Sequence, residues 1–205
     1  MGLWSTHVVP RIVDVACGPR QTAELRDRVC AGLTGRVVEI GFGSGHNVPY
    51  YPPAVTHVDA VEPADLGWKL AGRRLAAATV PVQRSGLDGQ QLLFEDGVFD
   101  AALSTWTLCT IPDATAALRE VRRVLRPGGV LHFVEHGQAP DEGVRRWQRR
   151  LEPAQKRLAG GCHLTRPIAE LLSAGGFRVT GLEQFYERGT PRPLGALSLG
   201  TAVPA

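Results

Sequence analysis

The sequence predicts an α/β fold, a doubly wound and mostly parallel sheet of seven strands, in one domain over residues 1–205. Three observations carry this expectation. Short runs of apolar and β-branched residues alternate along the chain with segments whose apolar side chains recur at helical spacing. The first such run, residues 36–40, breaks straight into Gly41, Gly43 and Gly45, as a buried strand does on entering a tight turn that faces a ligand. The chain has 205 residues, 43% hydrophobic and 21% charged, enough to bury one core without disulfides or metals.

Composition also excludes several function classes. The net charge is only +3 and no long basic run occurs, so nucleic acid is not an expected partner. No apolar run approaches the roughly 20 residues needed to span a bilayer. The N-terminus lacks the basic and apolar regions of a signal peptide, so a cytoplasmic protein is expected. Cys17, Cys30, Cys109 and Cys162 lie far apart without a C-x-x-C pair, which predicts neither a disulfide framework nor a metal site.

Taken in order, residues 3–15 place Leu3, Val8, Val9, Ile12 and Val13 near helical spacing, with a kink at Pro10. Residues 22–33 read as a second helix with Thr22 at its N-cap, so residues 1–33 form a helical cover over a core at 36–203. Residues 12–19 imitate a strand and turn, but a single glycine followed by Pro19 sets them aside. At the true turn, Gly41, Gly43 and Gly45 are spaced G-x-G-x-G rather than G-x-G-x-x-G. A pyrophosphate at a helix N-terminus is therefore not required. Prolines 49, 52 and 53 make residues 46–53 a short loop covering the glycines. The second strand, 57–61, ends in Glu62-Pro63, and Glu62 stands 21 residues beyond Gly41. That is the place of the acidic residue that binds ribose hydroxyls in nucleotide-binding α/β folds.

A helix over 65–78, a strand over 80–84 and a strand over 97–103 follow. The helix over 112–125, with Pro112 in its first turn, is stopped by Arg126-Pro127-Gly128-Gly129. The fifth strand, 130–134, delivers Glu135-His136 to the same end of the sheet. Residues 144–158 form an Arg-rich amphipathic helix with a solvated basic face, and residues 165–174 another helix, with Pro167 in its first turn. Strands over 177–185 and 196–203 complete the sheet. No separate substrate domain is expected, so the substrate is expected at the carboxyl ends of the strands.

Several of these segments resemble known motifs. Glu39 with G-x-G-x-G resembles motif I of the class I S-adenosylmethionine (SAM) methyltransferases. Gly86-Leu87-Asp88-Gly89-Gln90-Gln91-Leu92-Leu93-Phe94 resembles their G-D-A-x-x-L-P-F segment, with Leu87 departing from the usual glycine, and Arg-Val-Leu-Arg-Pro-Gly-Gly at 123–129 is a third shared feature. The resemblance implies a Rossmann-like fold and SAM as cofactor. It assigns cofactor contacts to Glu39, Gly41, Phe42, Gly43, Asn47, Glu62, Pro63, Leu87, Asp88 and Thr105, with Glu62 on the ribose and Asp88 on the adenine amino group.

Leu108-Cys109-Thr110, Glu135-His136 and Gly161-Cys162-His163-Leu164-Thr165-Arg166 narrow the likeness to type 11 methyltransferases related to the animal microsomal thiol methyltransferases. Those proteins read G-C-N-L-T-R where this chain has histidine, and carry an N-terminal apolar helix not expected here. The implied function is methyl transfer to a small hydrophobic acceptor, a thiol first and a phenol or carboxylate behind it. His136 is the expected base, because an imidazole titrates in the physiological range, and Cys109 its neighbour in the catalytic pocket. Trp4, Trp106 and His163 are expected to line the acceptor site. Cys109, Cys162, His136 and His163 could converge, but their spacing alone does not make a metal site. A nucleotide-dependent oxidoreductase and a non-catalytic SAM-binding partner protein are the competing classes. A small-molecule acceptor is the expected partner, and a homodimer is compatible with the sequence.

Overall fold

The computed structural model describes residues 18–205 together with Val8, Arg11, Asp14 and Val15. Trp4, and most of the helix expected over residues 3–15, lie outside the described residues.

The chain runs α1 (Pro19–Cys30), β1 (Gly35–Ile40), β2 (Val55–Val61), α2 (Asp65–Leu70), α3 (Gly72–Ala76), β3 (Val82–Gly86), β4 (Phe99–Thr105), α4 (Ala114–Val124), β5 (Leu125–His136), α5 (Glu142–Leu158), α6 (Ile168–Ala174), β6 (Phe177–Tyr186) and β7 (Ala196–Pro204), with a 3-10 turn at Val48–Tyr50 between β1 and β2. The sheet has the order β3-β2-β1-β4-β5-β7-β6. The first five strands in chain order pair in parallel, while β7 runs antiparallel to both β5 and β6. Strand order reverses between β1 and β4, and the crevice at that switch point is where a doubly wound sheet holds its ligand.

Both faces of the central strands are covered, which is why β1 reads as a continuous apolar run rather than an alternating one. On one face Val29, Cys30 and Leu33 from α1 and its exit pack on Val37, Val58 and Val134. On the other, Leu118, Val121 and Val124 of α4 and Leu172 of α6 pack on Val38, Phe99 and Phe133. Asp113 caps α4 by accepting from the Ala116 nitrogen at 2.9 Å, so the helix that presses on β4 has a fixed start. Among the described residues no helix is long and apolar enough to cross a membrane.

Boundaries differ from the sequence expectation where a proline or a side-chain bond decides them. Helix α1 begins at Pro19, and the Thr22 hydroxyl donates to the Gly18 carbonyl at 3.1 Å from inside the helix instead of capping it. Pro167 is the extended N-cap of α6 rather than part of its first turn. The helix expected over 65–78 is broken in two at Ala71. Leu125 leaves α4 and pairs at once with Phe99, so β5 starts before the Pro127-Gly128-Gly129 turn, and its register shifts there.

Candidate active site

The glycine turn is fastened to the second strand by two bonds to one acceptor, the Gly41 and Phe42 nitrogens both donating to the Val61 carbonyl at 2.9 and 3.2 Å. Its glycines serve different purposes. A Cβ on Gly41 would collide with Thr107, and one on Gly45 would press on Phe42 and Ala71, so these two are required by packing. At Gly43, with φ of 59°, a Cβ would meet nothing nearer than the Gly41 carbonyl oxygen at 3.9 Å. The middle glycine thus holds open space above the turn, on the side a flat ligand would approach.

Glu62 closes one side of that space. Its Oε2 accepts from the Gly43 nitrogen at 2.6 Å and its Oε1 from the Ala64 nitrogen at 2.7 Å, with the residue 6% exposed. Burial raises its pKa, while the two backbone donors and nearby Arg84 pull it down. Each oxygen retains a lone pair, so the carboxylate can accept from ribose hydroxyls without giving up the turn.

Beneath the turn lies a buried polar network. Glu39 accepts from Asn47 Nδ2 at 2.9 Å and from the Tyr51 hydroxyl, and Asn47 Nδ2 also donates to Thr105 Oγ1 at 3.0 Å. Asn47 Oδ1 in turn accepts from Arg26 at 2.6 Å. Arg26 is 3% exposed, with its guanidinium 4.7 Å from the centre of the Trp106 ring. Burial raises the Glu39 carboxyl to about 7, against the bonds from Tyr51 and Asn47. Trp106 follows β4 with φ of 50°, an uncommon and costly conformation for a bulky residue, and it leaves the strand at the switch point. Asp14 reaches the turn from the N-terminal side, accepting from the Ser44 hydroxyl at 2.6 Å and lying 3.0 Å from His46 Nε2.

The residues expected beside the adenine are more open. Leu87 is 61% exposed, and Asp88 uses one carboxylate oxygen to accept from the Gln90 nitrogen at 2.8 Å, forming a local turn. Pro63 is exposed beside Glu62.

A second constellation stands at the ends of β4 and β5. Donor atoms of Cys109, His136 and Cys162 all lie within 4.8 Å of one another, with the cysteines buried and the histidine half-buried. Cys162 follows two residues with left-handed backbone, Gly160 and Gly161, and the His163 nitrogen donates to the Cys109 carbonyl at 2.8 Å, tying the two cysteine loops together. A hydrogen bond with Cys109 pulls the Cys162 thiol well below the usual thiol range, with His136 and Gln155 assisting and burial opposing. His163 is not part of this group, since its Nδ1 lies 3.3 Å from Glu152 Oε1. The neighbouring Glu135 is fully buried and accepts from the Ser104 hydroxyl at 2.6 Å and the Thr107 nitrogen at 3.1 Å.

Sequence reasoning missed Arg26, Tyr51, Thr107 and Glu135 as parts of the site, and it left Cys162 outside the chosen residues. Only Glu135 carried a signal, a carboxylate at the end of an otherwise apolar strand.

A family model described as a methyltransferase domain matches residues 38–133, from β1 to β5. The chain is 35% identical over 180 residues to the thiol S-methyltransferase TMT1B of Homo sapiens, covering 84% of this chain and 70% of the human protein. Among solved structures, a SAM-dependent methyltransferase of Leishmania major superposes with a TM-score of 0.71 at 18% identity, covering 97% of this chain and 80% of that one. The [4+2]-cyclase SpnF superposes with a TM-score of 0.70 at 20% identity, covering 98% and 94%, so this fold alone does not specify a reaction. The sequence kinship does what the fold cannot, and the chain belongs to the class I SAM-dependent methyltransferases of the type 11 family.

Proposed function

We propose that this SAM-dependent methyltransferase acts on the sulfur of a small, apolar thiol. The observation that carries the reading is the Cys109–His136–Cys162 group at the ends of β4 and β5, beside the switch point of a sheet whose relatives include a named thiol S-methyltransferase. Methyl transfer to sulfur is an in-line displacement at the sulfonium methyl. The cofactor supplies the leaving group when bound, and the protein supplies alignment and a dry site.

The acceptor side needs a thiolate, because a free thiol with a pKa near 8.5 is only a few per cent ionised at pH 7. His136 is the residue best placed to take that proton, being half-buried at the last position of β5, with its donor atom within 4.8 Å of the Cys109 sulfur. Trp106 supplies an apolar wall and Arg26 holds its ring. In the SAM site, Glu62 and the open face of Gly43 take the ribose and methionine portions, Asn47 ties Glu39 and Thr105 together in the floor, and Leu87 and Asp88 border the adenine. A panel of small alkyl and aryl thiols, phenols and carboxylates, scored by S-adenosylhomocysteine release, tests the reading. Thiols should lead it, and a panel led by phenols would move the acceptor atom to oxygen.

A further inference from the structure

We infer that Cys109, His136 and Cys162 form a binding site for a thiophilic divalent cation of the zinc class, with a fourth position left open for the acceptor. The inference was not legible in the spacing of the ligands, which come from three separate connections: the turn after β4, the end of β5 and the loop after α5. It rests on their convergence in space.

The donor set is the first argument. Two thiolates and a neutral imidazole suit zinc by softness, and their summed charge cancels that of a divalent cation, which suits a site where both cysteines are buried. Geometry is the second. In a tetrahedral site with Zn–S near 2.3 Å and Zn–N near 2.0 Å, ligand atoms sit about 3.5 to 3.8 Å apart. The present separations are within 4.8 Å, so a contraction of about 1 Å brings the three onto one ion. The two cysteine loops are already tied by the bond from the His163 nitrogen to the Cys109 carbonyl, and Gly160 and Gly161 give the Cys162 loop its turn. Accessibility is the third. Three protein ligands with one coordination position free is the arrangement of catalytic zinc, and the half-buried side of the group is that of His136.

This deepens the thiol reading and rests on it for the chemistry. An acceptor R–SH taking the fourth position would lose its proton to solvent and remain on the cation as thiolate. Its sulfur lone pair would form the S–CH3 bond while the bond from that methyl to the SAM sulfur breaks. The breaking pair returns to that sulfur to give S-adenosylhomocysteine, and the neutral thioether leaves the cation. The overall change is R–SH plus SAM cation to R–S–CH3, S-adenosylhomocysteine and one proton. With a cation bound, His136 serves as a ligand and acidification of the thiol passes from the imidazole to the metal.

The test uses the full chain, reduced, loaded with zinc chloride, desalted and assayed for metal by mass spectrometry. One equivalent of zinc should remain, and cobalt in its place should give a thiolate-to-cobalt charge-transfer band with the strong visible bands of tetrahedral coordination. Loss of outer contacts alone costs metal sites about 10- to 100-fold in affinity, so Cys162→Ser and His136→Gln should each lose about 100-fold or more. Cys30→Ala, at a buried cysteine outside the group, should bind as the parent does. Calorimetric SAM binding by each variant shows that it is folded. No zinc uptake by the folded parent, or uptake equal in parent and Cys162→Ser, would overturn the proposal, as would a Cys109–Cys162 disulfide that forms in air and persists in excess zinc. Thiol methylation by a metal-free parent would sink the metal and spare the thiol reading. Zinc and cobalt bound as described without thiol methylation would spare the site and sink that reading.

Discussion

Glu62 Oε2 accepts a 2.6 Å hydrogen bond from the Gly43 nitrogen, tying the end of β2 to the middle glycine of the turn after β1. Because Oε1 is bonded to a second backbone donor, at Ala64, both oxygens must be acceptors. Glu62→Gln is therefore not conservative, since its amide NH2 would face an N–H. Hydrogen bonds to charged groups contribute about 1.5 to 3 kcal/mol, so this variant should lose SAM affinity by at least about 10-fold and some stability with it. Calorimetric titration and urea unfolding read the two effects. Unchanged affinity would remove Glu62 from the cofactor site.

Gly43 separates a steric effect on the ligand from one on the fold. In Gly43→Val the Cβ would touch only the Gly41 carbonyl oxygen, at an ordinary 3.9 Å, although a left-handed φ of 59° strains any branched residue by about 1–2 kcal/mol. The variant should fold with reduced stability and fail to bind SAM measurably. Gly41→Val, which would collide with Thr107, should instead fail at folding.

Glu39 makes the free protein's stability depend on pH. Its carboxyl is raised from an ordinary 4.5 to about 7 by burial. A raised acid binds its proton more tightly folded than unfolded, so the contribution is whole below about pH 4.5 and is lost as pH rises through 7. The full effect is on the order of 3 kcal/mol. Glu39→Gln keeps the shape without the titration, so the parent should lose ground to this variant between pH 5 and pH 8 in urea unfolding. Parallel curves would mean that Glu39 stays ionised throughout.

His136→Asn should lower thiol methylation by about 10²- to 10⁴-fold while leaving SAM affinity nearly unchanged. Residual turnover should climb as pH passes about 8.5, where solution supplies thiolate unaided. A variant with parental turnover would take the thiol-activating role away from His136.

The glycine turn and the carboxylate beside it were readable in the chain because they are local. Gly41, Gly43 and Gly45 follow directly on a strand, Glu62 closes the next one, and strand and turn residues announce themselves within a few positions. The doubly wound, mostly parallel sheet of seven strands followed from the same run of elements, whereas the antiparallel course of β7 had no signal in them. What stayed hidden depends on long-range contact. Arg26 meets Asn47 across 21 positions and Ser104 meets Glu135 across 31, and neither pair has a sequence signature. Cys109 and Cys162 are farther apart still, and only the folding of the loop after α5 onto the end of β4 places them together. His163, adjacent in sequence to the group, faces Glu152, so neighbouring positions in one loop took opposite directions.

Product analysis with methyl-deuterated SAM and a small apolar thiol tests the central claim most directly. Mass spectrometry should find the deuterated methyl on the acceptor sulfur, in amounts equal to the S-adenosylhomocysteine formed and nearly absent with Gly43→Val. S-adenosylhomocysteine without labelled thioether, or label on oxygen or nitrogen of a competing acceptor in preference to sulfur, would contradict it.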